Sequence, residues 1–422
     1  MIKINIPYGK SHIEVQIPKK RLEGILEVRD HQYKPEAGEE QLVRMALENP
    51  VASPRLRDLV KGRKKIVIIT SDHTRPVPTK IIAPLLLEEI RKGNPEADIN
   101  FLVATGFHRA ITEEELLNKF GAHMLKEEKI VIHNGWDPAT MTNADKLPSG
   151  GDLIINKMAM EADLLIAEGL IEPHLFAGFS GGRKSVLPGI AGRITVLANH
   201  CSEFIAHKKA RAGILDGNPI HEDMVYAAKQ AKLAFIINVI IDADQKIIRA
   251  FAGDADHAHL EGCAFAGELA AVKAKPADIV ITSNGGYPLD QNVYQHVKAL
   301  SSAEATCKEG GVLIACAALS DGHGSEDMYN WMCGGARDAM DKIMKIDRES
   351  TIPDQWATQI MARIQLKHTV IFVTDPCNHQ IISDMGFKVV CTFEEAMAAA
   401  EAIVGARSSI TVMPDGVAVI VK

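Results

Sequence analysis

The residues able to do chemistry in this chain gather in a few short segments. SDHTRPVP (71–78) carries Asp72, His73, Thr74 and Arg75, and GFHRA (106–110) carries His108 and Arg109. IEPHLFAGFSGGRKSVLPGIAG (171–192) carries His174, Ser180 and Lys184, and His200 follows in ANHC. Further on, SNGGYPLDQNVYQHVK (283–298) carries Tyr294, Gln295 and Lys298. Imidazole exchanges protons near neutral pH, which suits general acid and base work. An arginine fork grips carboxylate or phosphate at two points. A lysine amine becomes a covalent attachment point when its charge is suppressed. Taken singly, each has a plainer explanation. A lone histidine after a strand is more often a structural hydrogen-bonding group, Asp72 and Thr74 suit turns or helix caps, and Arg75 and Lys298 suit solvent. Several such loops on one predicted sheet edge shift the balance toward a site.

GFSGGRKS (178–185) nearly matches the phosphate loop GxxxxGK[ST], but Arg183 stands where that motif requires glycine. The small residues Ser180, Gly181 and Gly182 still allow close backbone approach to an anion, so a phosphate-bearing ligand is expected. The alternative is a tight turn entering a helix. Metal signals are indirect, with no HExxH, no CxxC and no EF-hand loop. His108, His174 and His200 are far apart in sequence, and only the fold could unite them. DADHAH (254–259) is expected to cover a polar helix face, and DGHG around His323 is left undecided.

The elements that must position these loops follow a clear rhythm. Residues 2–17 alternate apolar and polar about Tyr8-Gly9-Lys10, which predicts a hairpin. From residue 65, continuous apolar runs alternate with helix-like stretches: 65–70, 99–106, 129–134, 163–169, 235–242, 278–283, 311–317 and 369–374. Apolar strands alternating with helices predict parallel sheets covered on both faces. The fold class is α/β, with two α/β domains: residues 1–272, binding cofactor and holding the catalytic groups, and residues 273–422, contributing substrate-binding residues. The active site is expected in the cleft between them, beyond the carboxyl ends of the strands. SITVMPDGVAVIVK at the end reads as a hairpin turning at Pro414-Asp415-Gly416.

The 422 residues are 46% hydrophobic and 24% charged, an ordinary globular balance that excludes a disordered or fibrous chain. A net charge of -7 makes nucleic acid an improbable main partner. Seven unpatterned cysteines predict reduced thiols. With no apolar signal core and no run long enough to span a bilayer, a cytoplasmic protein without membrane association is expected.

Together, SDHTRPVP, ATGFHRA, HLFAGFSGGRKSVLPGIAG, ANH and NGGYPLDQNVYQHVK resemble, in this order and over essentially the whole chain, the nickel-pincer lactate racemase family. That resemblance implies an isomerase interconverting D- and L-lactate by proton-coupled hydride transfer through pyruvate. It implies a cofactor, the nickel-pincer nucleotide, a pyridinium mononucleotide whose sulfur-bearing groups and ring carbon hold nickel. Lys184 would tether it through a thioamide, and His200 would be the metal ligand. Asp72, Thr74, Arg75, Ser180, Gly181 and Gly182 would lie about the nucleotide and its phosphate. His108 and His174 would be the catalytic acid and base, one serving each enantiomer, in an order left open. Arg75, Tyr294, Gln295 and Lys298 would bind substrate, and separate maturation enzymes would supply the cofactor.

The chemistry favours this reading. The α-hydrogen of a 2-hydroxy acid is poorly acidic, and imidazole alone is too weak a base to remove it. No carboxylate constellation of the kind that stabilises an enediolate is visible, and hydride removal avoids the carbanion. Trp356 lines the pocket or fills core, both readings standing. Relatives in the family act on other 2-hydroxy acids, including short-chain aliphatic, malate-like and sugar acids, so these stay open as substrates. More remote alternatives are a phosphate-binding transferase using 178–185 and a non-catalytic binding protein.

Overall fold

The computed structural model describes residues 1–29 and 33–422. The chain forms two compact units. One contains Arg29–His200 and His207–Leu269, and the other Met1–Val28, Cys201–Ala206 and Ala270–Lys422.

The first unit is built on a six-stranded sheet. In spatial order its strands are Ile247–Gly253, Leu233–Ile241, Leu164–Leu170, Lys65–Ser71, Asp98–Ala104 and Lys129–Ile132. All neighbours are parallel except the outermost pair, Leu233–Ile241 with Ile247–Gly253. The strands are apolar throughout, as both faces are covered. Ile66, Ile68, Phe101, Ile166 and Ile237 pack with Ile82, Leu86 and Ile90 of the helix Thr79–Gly93. From Lys65–Ser71 the chain adds strands on one side, then returns to add Leu164–Leu170 on the other. That reversal is a topological switch point, and it opens a crevice beyond the carboxyl ends of these two strands.

The second unit repeats the plan. Its sheet runs Lys388–Val390, Thr369–Val373, Cys307–Cys316, Ala277–Ser283, Ile410–Met413 and Leu22–Ile25, parallel throughout. Here the order reverses between Ala277–Ser283 and Ile410–Met413, where Ser283 Oγ donates to Pro414 O at 2.6 Å.

The expected α/β class with parallel sheets is what the structure has, and two segments differ from expectation. The N-terminal residues fold with the second unit, not with the first. The hairpin Ile2–Tyr8 and Ser11–Ile17 forms as its alternation predicts, and its apolar face, Ile4, Ile6, Val15 and Ile17, packs on Ile279, Ile281 and Val312. No local signal reports which sheet a hairpin will cover. The C-terminal stretch is not a hairpin. Ile410–Met413 is buried as an inner parallel strand, and after Pro414 the chain runs on to pair Ile420–Val421 with Ala271–Val272. All seven cysteines are free. No helix among the described residues is long and apolar enough to cross a membrane.

Candidate active site

The switch point of the first unit collects most of the candidate residues. The loop after Lys65–Ser71 begins with Asp72, buried at 3% side-chain exposure, whereas the His108 side chain it meets is 50% exposed. Asp72 Oδ2 lies 2.7 Å from His108 Nδ1. Oδ1 accepts the Thr74 hydroxyl at 2.6 Å and the Thr74 N–H at 3.0 Å. Burial alone would raise the Asp72 pKa. The His108 hydrogen bond and charge, with the Thr74 donors, outweigh it and bring it down to about 2. An ionised, immobile carboxylate therefore orients an imidazole whose other nitrogen is open to a ligand.

Arg75 is tied to the next loop, its Nε 3.2 Å from Glu172 Oε1. That loop follows Leu164–Leu170 and turns in a two-residue ladder, His174 pairing with Gly178. His174 Nδ1 accepts the Ala177 N–H at 3.2 Å, so the neutral ring carries its proton on Nε2. Nε2 is 3.4 Å from Lys184 Nζ. Phe176 stands edge-on between two imidazoles, its ring centroid 4.6 Å from His174 and 5.0 Å from His200. His200 caps the helix Arg193–Asn199 and is buried. Burial first, and the Lys184 charge second, lower its pKa to about 3, so the ring is neutral at physiological pH.

The structure thus forms two groups, Asp72–Thr74–His108 and His174–Lys184–His200, joined by Arg75 and Glu172. Two participants were not found from sequence. Glu172 is a lone acid beside a proline. Phe176 reads as core, and it sits in the turn between Pro173–His174 and Gly178–Phe179, where no periodicity marks it.

The glycine-rich loop is organised from within. Ser180 Oγ donates to Leu170 O at 2.7 Å and accepts Glu172 N–H at 2.9 Å. Gly182 N–H donates to Asn238 Oδ1 at 2.8 Å. A Cβ on Gly181 would sit 2.8 Å from the same oxygen, and one on Gly182 2.6 Å from the His259 ring. Both glycines have positive φ, at 74° and 51°. Arg183, 2% exposed, fills the space beneath. It donates to the carbonyls of Ala177, Ser180 and Gly181 and to His221 Nδ1 at 3.0 Å, and its Nη1 lies 2.9 Å from His259 Nε2, which also faces Ser180 O at 2.9 Å. The Ser180 hydroxyl and the Gly182 N–H are therefore committed inside the protein, so they do not form the anion cradle that the motif suggested. Arg183 in the glycine position of the near-motif is the loop's internal anchor. His259 correspondingly points inward, against the polar-face expectation for 254–259; Asp254 caps that segment by accepting the N–H groups of Asp256 and His257.

In the second unit, Tyr294, Gln295 and Lys298 lie in the first two turns of the helix Val293–Glu304, spaced to share a face. Asn292 caps it, accepting the Gln295 N–H at 2.9 Å. Trp356 Nε1–H donates to Tyr294 Oη at 3.2 Å, which places Trp356 beside the candidate residues. Burial, then Asp354, pushes the phenol well above its usual range and keeps it neutral. Gln295 Oε1 is a buried acceptor without a hydrogen-bond partner. His296 is fully buried beside Phe372, ring centroids 5.5 Å apart, and faces core.

Does this donor set fit a nickel-pincer nucleotide? No cluster of three His, Cys, Asp or Glu able to hold a metal occurs among the described residues. One neutral buried imidazole beside a primary amine suits a metal that brings its remaining ligands on a tethered organic group. His200 and Lys184 fit such a group; Ser180 and Gly182 do not fit its phosphate.

Comparison with known proteins agrees with this architecture. Residues 8–213 match the family described as lactate racemase N-terminal domain, and residues 272–421 the lactate racemase C-terminal domain. The chain is 55% identical to a lactate racemase from Thermoanaerobacterium thermosaccharolyticum and 51% identical to one from Lactiplantibacillus plantarum, each over 100% of both chains. The structure of the T. thermosaccharolyticum lactate racemase apoprotein superposes with a TM-score of 0.97 at 54% identity, covering 100% of each chain. A Thermotoga maritima protein shares the fold at a TM-score of 0.64 and 18% identity, covering 91% of this chain and 97% of its own. With relatives this similar over its full length, the two-unit α/β chain is an isomerase, a racemase. It belongs to the lactate racemase family.

Proposed function

We propose that the substrate is lactate, racemised through pyruvate with a nickel-pincer nucleotide tethered to Lys184, with His200 as the protein's nickel ligand and separate maturation enzymes supplying the cofactor. When bound, that group supplies a reversible hydride acceptor for C2 of the substrate. The chain's own residues move the proton and hold the acid. Asp72 fixes His108 with Nε2 free, and this nitrogen takes the hydroxyl proton of one enantiomer. His174 does the same for the other with its Nε2 unprotonated, the tautomer opposite to the one the Ala177 N–H favours, so the ring gives up that contact to act as base. Arg75, steadied by Glu172, offers its remaining N–H groups to an anion, the substrate carboxylate or the cofactor phosphate, with Thr74 beside it. Tyr294, Gln295 and Lys298 bind substrate: the ammonium takes the carboxylate, and the Gln295 amide N–H donates to the hydroxyl oxygen whose proton goes to the histidine.

The observation that carries this reading is the placement of Lys184 Nζ 3.4 Å from His174 Nε2. An amine packed against a second imidazole is a poor surface feature and a good attachment point beside an acid–base group. The test has two arms. Intact mass of the matured protein against its Lys184→Ala variant shows a nucleotide adduct in the first only. Rates on single-enantiomer lactate, malate, longer aliphatic acids and sugar acids then decide the substrate. An unmodified matured protein overturns the tether, and a larger kcat/KM by orders of magnitude on another acid overturns lactate.

A further inference from the structure

Behind the Asp72–His108 pair lies a buried charge that the proposed chemistry does not use. Lys119, on the helix Glu113–Glu127, is only 9% exposed. Its ammonium donates to Ser71 Oγ at 3.1 Å, and Ser71 directly precedes Asp72. Glu168, on the strand Leu164–Leu170, is 2% exposed. Its Oε1 accepts the Thr70 and Thr79 hydroxyls, and its Oε2 has no hydrogen-bond partner. Lys119 interacts electrostatically with both Glu168 and Asp72, which oppose the effect of its burial. Two carboxylates and one ammonium are thus enclosed beneath the switch point, and the open end of the cluster is His108.

A buried ammonium is costly, and a methionine of similar volume would fill the same space without that cost. The arrangement has a use if the charge itself acts. We propose that Lys119 is a positioning residue that sets the charge balance felt by the Asp72–His108 pair, its ammonium offsetting Glu168 so that His108 meets the field of one carboxylate and not of two. This rests on the reading of His108 as an acid–base group. Among the described residues, other titratable groups near His108 include His73, at 6.5 Å between ring centroids, and the Arg109–Glu115 pair, with Glu115 3.8 Å from His73. That pair is internally compensated and closer to solvent, so Lys119 and Glu168 are the charges enclosed beneath the Asp72–His108 pair.

The sign follows from electrostatics. Without the ammonium, the imidazolium form of His108 is favoured, and the base is lost at higher pH. Without the Glu168 charge, the reverse holds. The experiment uses matured holoenzyme and measures kcat/KM against pH for Lys119→Met, Lys119→Arg and Glu168→Gln. Lys119→Met is expected to move the acid limb up by about half a pH unit or more, Glu168→Gln to move it down, and Lys119→Arg to restore the native profile. Plateau rates stay within about threefold of native, since neither residue touches the reacting atoms. A merely structural role lowers the plateau in both variants and shifts neither limb, and that result, or shifts of the same sign, overturns the proposal.

If Lys119→Met fails to fold, Glu168→Gln, which retains the oxygen that accepts Thr70 and Thr79, carries the test alone: a downward shift supports the proposal and an unmoved limb overturns it. The His108 ring titration, followed by NMR in cofactor-free protein, separates this inference from the reading beneath it. Opposite displacements in the two variants support the charge coupling even if His108→Gln were found to leave racemisation intact. Unmoved midpoints overturn the coupling whatever His108 does.

Discussion

Asp72 Oδ2 lies 2.7 Å from His108 Nδ1, and the two are held so by unequal exposure: the carboxylate is enclosed, the imidazole half open. The carboxylate favours the tautomer that leaves Nε2 unprotonated, the nitrogen proposed above as the base. Asp72→Asn keeps the shape but offers an amide in place of a full acceptor. A loss of roughly 10²-fold or more in kcat/KM is expected, as when the orienting acid of a catalytic histidine is neutralised. The two enantiomers have equal free energy, so the loss must be the same factor in both directions. Initial rates from D- and from L-lactate on matured enzyme check both points.

His133 gives the chain a pH dependence of stability. It is 2% exposed, with Nε2 3.1 Å from Ala191 O and Nδ1 3.2 Å from the Asn156 amide. Both contacts suit a neutral ring, and burial lowers the pKa from 6.5 to about 4. A folded-state value below the unfolded one means that the unfolded chain binds the proton first. The contribution is complete above pH 6.5 and is lost as pH falls toward 4, by up to about 3 kcal/mol. Denaturant unfolding of cofactor-free protein should show this decline, and His133→Gln should flatten it while lowering stability at neutral pH.

The fold was legible because period and composition speak locally. Strands such as 65–71 and 164–170 are unbroken apolar runs, and their edges named the loops that hold His108 and His174. What escaped was long-range. The hairpin's apolar stripe shows one face but not its partner, so Met1–Val28 were placed with the wrong unit. Ile410–Met413 looked like half of a hairpin because a Pro-Asp-Gly turn follows it, yet its full burial comes from neighbours far away in the chain. Glycines 181 and 182 announced close approach correctly, but what approaches is Asn238 and His259. A sequence reports that a glycine is needed without reporting which atom comes near.

Arg183 supports a stability prediction. Its guanidinium reaches three carbonyls and two imidazoles without a carboxylate at contact distance. Arg183→Met removes the donors to Ala177 O and His221 Nδ1, while Gly181 O keeps the Lys184 N–H and Ser180 O keeps His259, so a fall on the order of 2 kcal/mol is expected. Because Lys184 is the next residue, the variant is also expected to load less cofactor than its folded fraction allows. Calorimetry on the cofactor-free protein gives the first quantity, and intact mass after maturation gives the second.

Trp356 allows binding to be separated from chemistry. Its indole N–H donates to Tyr294 Oη at 3.2 Å, and burial keeps that phenol neutral. The phenol oxygen is thereby held in one position, with its own proton directed to Asp354. Trp356→Phe preserves an aromatic ring and removes only the donor. Losing one neutral hydrogen bond of about 1 kcal/mol should raise KM by roughly fivefold, through a Tyr294 that is less well held. The proposed proton-transfer groups His108 and His174 are untouched, so kcat should change by less than about twofold. If kcat falls and KM stays constant, Trp356 acts on the transition state, and Tyr294 must then be assigned a part in the chemistry itself.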